Sequence, residues 1–251
     1  LIEANRWGDM RSIAVGIFCK TPTAGLSKTR LSPPLRPEEC AALSACFISD
    51  LAETVRTLTL QGDVAGYAVY TPAGSEPALR KLIPAHFGLL LQCDGDLGAR
   101  LLHATRDLLS LGHAGAILLN ADSPTLPAAI LRAAVDAVRD TDAVVLGPAV
   151  DGGYTLIGLS KAHPHVFANI PWSTDAVHRL TVARAGEIGV PVIDVPGWYD
   201  VDDAQTLALL ESELDGAPLS FAAPGIVGAD APATRQFLAR RNAPRRVGSM
   251  R

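Results

Sequence analysis

Short apolar runs alternate along the chain with longer segments in which apolar residues recur every three to four positions. The short runs are Ile13–Cys19, Val64–Tyr70, Gly88–Gln92, Ala116–Asn120, Ala143–Leu146, Tyr154–Leu159 and Val192–Val195. They predict strands. Helical spacing covers Pro37–Leu58, Leu97–Leu109, Pro127–Arg139, Asp175–Glu187 and Asp203–Glu213. Pro37 suits a first helical turn, and Glu38 and Glu39 favour its positive end. Asp96 and Asp203 are placed to cap the helices that follow them. Strands alternating with amphipathic helices predict one α/β domain over 11–214, a three-layer α/β/α sandwich around a mostly parallel sheet. One antiparallel strand is expected near Tyr154. From Asp215 the texture changes: Ala, Pro and Gly dominate, and Arg240-Arg241 and Arg245-Arg246 make the end basic. Residues 215–251 read as a solvated or partly ordered tail, packed around Phe221 and Phe237, or as an arm that binds phosphate or a partner.

Composition narrows the class. The 251 residues are 48% hydrophobic and 19% charged, which allows a sizeable core. A net charge of −4 argues against a nucleic-acid binder, while a local basic cluster can still serve one phosphate chain. Cys19, Cys40, Cys46 and Cys93 form no CxxC pair and no zinc-finger spacing, so reduced thiols are expected. No apolar run approaches the roughly 20 residues of a membrane span. Leu1–Met10 has no signal-peptide core, and Leu1–Asp9 reads as an upstream extension. A cytoplasmic location is expected.

Five segments carry candidate chemistry, and four of them follow a predicted strand. Lys20–Arg30 (Lys-Thr-Pro-Thr-Ala-Gly-Leu-Ser-Lys-Thr-Arg) comes after the first. Gly25 would let the backbone approach a phosphate, and Lys20, Lys28 and Arg30 would neutralise it. A solvated basic loop is the alternative. GxxxxGK[ST] and GxGxxG are both absent. Asn120-Ala-Asp-Ser-Pro124 ends the fourth strand, so Asp122 is either a ligand for magnesium or manganese or a cap for the helix near Pro127. Gly147–Tyr154 includes Asp151-Gly152-Gly153, which is a tight turn or a close backbone approach to a ligand. In Pro171-Trp-Ser-Thr174, Trp172 is core or pocket lining, and Thr174 is a natural N-cap. In Trp198–Asp203, Asp200 and Asp202 alternate across Val201 and point the same way if extended. Two carboxylates so placed suit a cation between them.

Taken in this order, the segments resemble the nucleotide-diphospho-sugar transferase superfamily, which has the glycosyltransferase A fold. The chain is similar to the family DUF2064, whose members carry the labels radical-SAM/selenodomain-associated transferase and arsenosugar biosynthesis glycosyltransferase. The likeness runs from about Ile13 to Leu214. It rests on Phe18-Cys-Lys-Thr-Pro, Gly25-Leu-Ser-Lys-Thr-Arg-Leu31, Asp122-Ser-Pro, Gly147–Tyr154, Pro171–Thr174 and Asp200-Val-Asp202. Lys28-Thr-Arg-Leu31 resembles the phosphate loop of certain guanylyltransferases, and Asp200-Val-Asp202 the closing aspartates of nucleotidylyltransferases. Unlike many glycosyltransferases, the chain has no Asp-x-Asp at the fourth strand.

The resemblance implies a nucleotide on the amino-terminal half and an acceptor site on the other. Phosphates would lie on Lys20, Gly25, Lys28 and Arg30. Mg2+ or Mn2+ would lie on Asp122 with Asp200 or Asp202. Asp151 would orient or deprotonate the acceptor, framed by Gly152, Gly153, Tyr154, Trp172, Ser173 and Thr174. The expected partners are a nucleotide sugar or nucleoside triphosphate and a small acceptor, without nucleic acid. Glycosyl transfer is the leading expectation. Nucleotidyl transfer with pyrophosphate release is the alternative, and a non-catalytic nucleotide-binding regulatory module is a rival of another class.

Overall fold

The computed structural model describes residues 12–242. The expectations for Leu1–Asp9 and for Arg245-Arg246 lie outside them. Seven strands form one sheet: β1 (Ile13–Lys20), β2 (Val64–Thr71), β3 (Gly88–Leu91), β4 (Gly115–Asn120), β5 (Val144–Pro148), β6 (Tyr154–Leu159) and β7 (Val192–Asp194). Their order is β3-β2-β1-β4-β6-β5-β7. All pairings are parallel except those of β6, which runs antiparallel to both β4 and β5, as expected near Tyr154.

Helices α1 (Pro37–Thr59), α2 (Glu76–Leu79), α3 (Leu97–Ser110), α4 (Ala128–Asp140), α5 (Val177–Glu187), α6 (Ala204–Leu214) and α7 (Pro232–Asn242) complete the described chain. Alternation along β1 divides them between the two faces. Ile13, Val15 and Ile17 join Leu43, Phe47 and Leu51 of α1, Ile130 and Leu131 of α4 and Leu207 of α6. Ala14 faces the other way, with Leu101, Ala104 and Leu108 of α3 and Ala185 of α5. Both faces are dry, which is why the central strands read as unbroken apolar runs. Truncating a side chain such as Phe47, fully buried in α1, would cost about 3–5 kcal/mol.

Caps set several boundaries. The Asp96 carboxylate accepts from Ala99 N at 2.8 Å, and Asp203 accepts from Thr206 N at 2.9 Å, both as expected. Other boundaries differ. α4 starts after Pro127 with no side-chain cap, so neither Asp122 nor Ser123 serves it. α5 starts at Val177 rather than Asp175, because Thr174 Oγ1 donates to Pro171 O and forms a separate turn ahead of the helix. The one-turn α2 was not foreseen.

The carboxyl-terminal segment was expected to be solvated or partly ordered, and its described part is of the second kind. Much of it is ordered: α7 packs against α1, with Thr234 and Leu238 buried. Asp50, buried in α1, accepts from Ala233 N at 2.9 Å and Thr234 N at 2.8 Å, so a side chain from the other end of the domain caps α7.

The topology locates a crevice. From β1 the chain moves outward to β2 and β3, then returns to place β4 on the opposite side of β1. Crevices beyond the carboxyl ends of strands at such a reversal are the habitual ligand sites of open α/β sheets.

Candidate functional site

The loop leaving β1 enters this crevice. Thr23 organises it: its carbonyl accepts from Leu26 N and Ser27 N, and its own amide donates to Ser27 Oγ at 3.0 Å. Gly25 sits at φ 75°, which the turn requires and a β-carbon would resist. Lys28 then adopts a left-handed conformation, φ 49°, at the mouth of a single 3-10 turn, Thr29–Leu31. Leu31 anchors the turn in the core.

That geometry sends Lys28 inward. Its side chain is only 6% exposed. Its ammonium donates to Asp122 Oδ1 at 2.7 Å, Asp202 Oδ1 at 2.8 Å and the Val201 carbonyl at 2.7 Å. It also lies 5.7 Å from the centre of the Phe47 ring. Burial alone would lower its pKa, but the charges of Asp122 and Asp202 outweigh burial and hold it above the ordinary lysine value. The solvated-loop alternative therefore fails for Lys28. As it stands in this structure, its three donors meet three protein oxygens. Lys20 and Arg30 stay exposed, line the same cleft, and make no ion pair among the described residues.

Asp200 and Asp202 do not converge. Asp202 turns to Lys28. Asp200 accepts from Asn120 Nδ2 at 2.7 Å and Ser123 Oγ at 2.6 Å, stitching the end of β4 to the segment before α6. Val201 N donates to Asp122 O at 2.9 Å and completes the seam. Burial, assisted by the nearby charges of Asp122 and Asp202, pushes the Asp200 carboxyl up to about 7 despite those two hydrogen bonds. Of the two alternatives, Asp202 lies beside Asp122, both on the Lys28 ammonium, while Asp200 is turned to Asn120 and Ser123. Among the described residues no three His, Cys, Asp or Glu side chains gather as a metal site.

Asn120, Ser123 and the Val201 carbonyl escaped the sequence reading. The first two adjoin Asp122 and were visible there as a polar end to an apolar strand. The carbonyl had no signal. Burial and the charge of Asp122 push the Cys19 thiol up to about 12, so it stays neutral in the core beneath the crevice.

The resulting cleft encloses about 270 Å³ between Phe18, Lys20, Arg30, Ser44, Asp122 and Asp202, with the Leu26–Thr29 loop across it. None of the predicted acceptor residues lines it. Asp151 is exposed after β5, and its Oδ1 accepts from Gly153 N at 2.9 Å. Gly152, at φ 89°, is needed for packing within the chain: a β-carbon there would sit 2.3 Å from Asp175 O. Tyr154 and Trp172 meet edge to face, 6.5 Å between centroids, and pack against the α3–α5 core. Burial raises the Tyr154 hydroxyl well above its ordinary value. Ser173 is left-handed at φ 65°, and Thr174 holds the turn before α5. These residues share one neighbourhood, apart from the cation cluster.

What the fold and this cleft define is a member of the nucleotide-diphospho-sugar transferase superfamily. The chain overlays a protein from Desulfovibrio desulfuricans described as a candidate nucleotide-diphospho-sugar transferase. The two share 25% identity at a TM-score of 0.79, over 93% of this chain and 96% of the other. Within the superfamily, residues 54–174 match the family described as "Uncharacterized protein conserved in bacteria (DUF2064)". Two more distant structures share the fold. A CMP:2-keto-3-deoxy-manno-octonic acid synthetase solved with CTP is 12% identical, with a TM-score of 0.52 over 81% of this chain and 98% of that one. A cytidylyltransferase from Leptospira borgpetersenii is 11% identical, with a TM-score of 0.52 over 92% and 95%. No curated protein matches the sequence. No helix of the described residues is long and apolar enough to cross a membrane.

Proposed function

We propose that the protein is a metal-dependent transferase that takes a glycosyl group from a nucleotide sugar and passes it to a small acceptor. One observation carries the reading. Asp122, Asp202 and the Val201 carbonyl, from two segments far apart in sequence, converge on a single cationic centre beside an exposed basic loop. Three hard oxygens around one point suit Mg2+ or Mn2+, which ordinarily share their remaining positions between water and substrate phosphate. The Lys28 ammonium marks where such an ion would be held. Bound there, the ion would offset the negative charge of a departing diphosphate.

The chain's own groups supply the rest. Arg30 offers a two-pronged donor to phosphate, and Lys20 a point charge. Asn120 and Ser123 fix Asp200, and through the same seam keep Asp122 beside Asp202. Asp151, with Oδ1 committed to Gly153, keeps Oδ2 for an acceptor hydroxyl. Gly152, Gly153, Tyr154, Trp172, Ser173 and Thr174 form the neighbourhood in which that acceptor would sit. The described nucleotide-diphospho-sugar transferase, at 25% identity, supports a sugar nucleotide as donor.

A second reading, nucleotidyl transfer from a nucleoside triphosphate, is favoured by one feature. The carboxylate pair comes from β4 and from the segment before α6, and not from a contiguous Asp-x-Asp. The two readings part on the leaving group. Incubating the protein with metal, an acceptor extract and panels of nucleotide sugars and triphosphates should release nucleoside diphosphate from a sugar donor. Pyrophosphate from a triphosphate alone would replace the first reading by the second. Tight nucleotide binding with neither product would leave a regulatory module.

A further inference from the structure

The cation cluster has a charge problem that its geometry sharpens. Lys28 satisfies two carboxylates and a carbonyl with all three of its donors. It cannot hold phosphate at the same time, nor can a metal reach the same oxygens while the ammonium is there. Leu26 is 60% exposed and Thr29 and Arg30 are exposed, while buried Ser27, bonded to Thr23, and Leu31 hold the loop on either side of Lys28, so it is the lysine side chain that has room to shift. The lysine stem is unbranched, so its ammonium can relocate without disturbing the sheet.

We propose that Lys28 is an exchangeable internal cation, holding Asp122, Asp202 and the Val201 carbonyl in the absence of ligand and moving onto the nucleotide phosphates when metal takes its place. This rests on the metal-dependent reading above and adds a mechanism of coupling to it. The charge count makes the exchange directional. Two carboxylates with Lys28 carry a net −1; with a divalent ion they are neutral, and Lys28 is released to join Lys20 and Arg30 against a diphosphate. Metal alone must drive the ammonium into water beside another cation, which like-charge repulsion opposes. Metal arriving with a diphosphate gives Lys28 a new partner. Metal and nucleotide should therefore strengthen each other's binding by the same factor, as linkage requires, on the order of tenfold or more.

The experiment is Mn2+ binding by electron paramagnetic resonance, with and without a nucleoside diphosphate such as UDP, GDP or CDP, in wild type and Lys28→Met. Methionine keeps the unbranched stem and removes the charge. In wild type, Mn2+ alone should bind weakly and the diphosphate should tighten it about tenfold or more. In Lys28→Met, Mn2+ alone should bind at least about tenfold more tightly than in wild type, and the diphosphate should tighten it by a smaller factor than in wild type, the direct metal–phosphate contact remaining. If the variant is poorly folded by circular dichroism, amine acylation of wild type read by mass spectrometry gives the same answer. Lys28 should be protected without ligand, reactive with saturating Mn2+, and protected again with Mn2+ and diphosphate.

Equal Mn2+ affinity in both proteins, or a Lys28 whose reactivity ignores metal, overturns the exchange while the metal-dependent reading stands. Absence of Mn2+ binding in both proteins, with nucleotide still bound, overturns the metal-dependent reading itself, and Lys28 is then a permanent substitute for the metal.

Discussion

The two rims of the sheet each carry a charged cluster, and one is balanced where the other is not. At the amino rim, just before β2, Asp63 lies between Arg132 and Arg139 of α4, 2.8 Å from each. Burial pushes the Asp63 carboxyl up, but the two guanidinium groups outweigh burial and hold it below the ordinary carboxylate range. A second acid, Asp136, stands 3.9 Å and 3.4 Å from the same two guanidinium groups, so two acids there balance two bases. At the carboxyl rim one base, Lys28, faces Asp122 and Asp202, with Asp200 a third carboxyl behind them. The first arrangement is a clip, complete without a ligand. The second gathers like charges that cost free energy to hold together, which is the expected state of a site that awaits a cation. A difference in charge balance, more than in residue type, separates structure from candidate function in this molecule.

The sharpest break of that contrast is Asp122→Asn. It should remove the metal-dependent part of the rise in Tm that nucleotide and Mn2+ produce together. The nucleotide–metal affinity should fall by about 1.5–3 kcal/mol, the range for hydrogen bonds to charged groups. An undiminished shift would make the carboxyl rim a second clip. Next in size is Lys28→Ala. Leaving paired carboxylates without their cation costs several kcal/mol when fully buried. Asp122 and Asp202 are 39% and 42% exposed, so about 1–2 kcal/mol is expected in a denaturant titration. Adding Asp202→Asn should recover part of it, whereas Arg30→Ala should leave the unliganded Tm unchanged and weaken only the nucleotide.

At the other rim, Asp63→Ala should cost about 1 kcal/mol, shrink further in molar salt, and leave nucleotide binding untouched. The smallest effect concerns His113, whose ring nitrogens meet Ser12 Oγ at 2.8 Å and Tyr67 Oη at 2.7 Å, also at the amino rim. Burial lowers its pKa below 6.5. The folded state therefore takes up its proton less readily than the unfolded chain, and stability falls as pH drops below 6.5. Comparing Tm at pH 7.5 and 5.5 in wild type and His113→Gln measures this. A steeper pH dependence in the variant would contradict it.

Where periodicity dominated, the sequence was legible. Ile13–Cys19 and Ala116–Asn120 read as buried strands because their neighbours cover both faces, and Asp96 and Asp203 read as caps because capping is local. Lys28, Asp122 and Asp202 stood out as charges just beyond strand ends or beside them. What each would touch did not, because the Lys28–Asp202 pair spans 174 residues. Local extension placed Asp200 with Asp202, whereas Asn120 and Ser123 draw Asp200 away. The glycine at 152 also makes room for the Asp175 backbone, a packing need that its neighbours in sequence did not show. Composition hid what orders α7: the stretch before it is rich in Ala, Pro and Gly, and the residue that caps it lies 183 positions away.

That last contact has a consequence for how the chain is made. Asp50 and the α1 surface beneath Leu238 are synthesised well before Pro232–Asn242, the segment that covers them. Until that segment emerges, α1 presents an uncovered apolar strip, a surface on which nascent chains aggregate. A ribosome stalled before Pro232 would hold a domain with its sheet assembled and its α1 flank bare. Emergence of α7 closes that flank, so full burial of α1 waits on a segment made much later than itself.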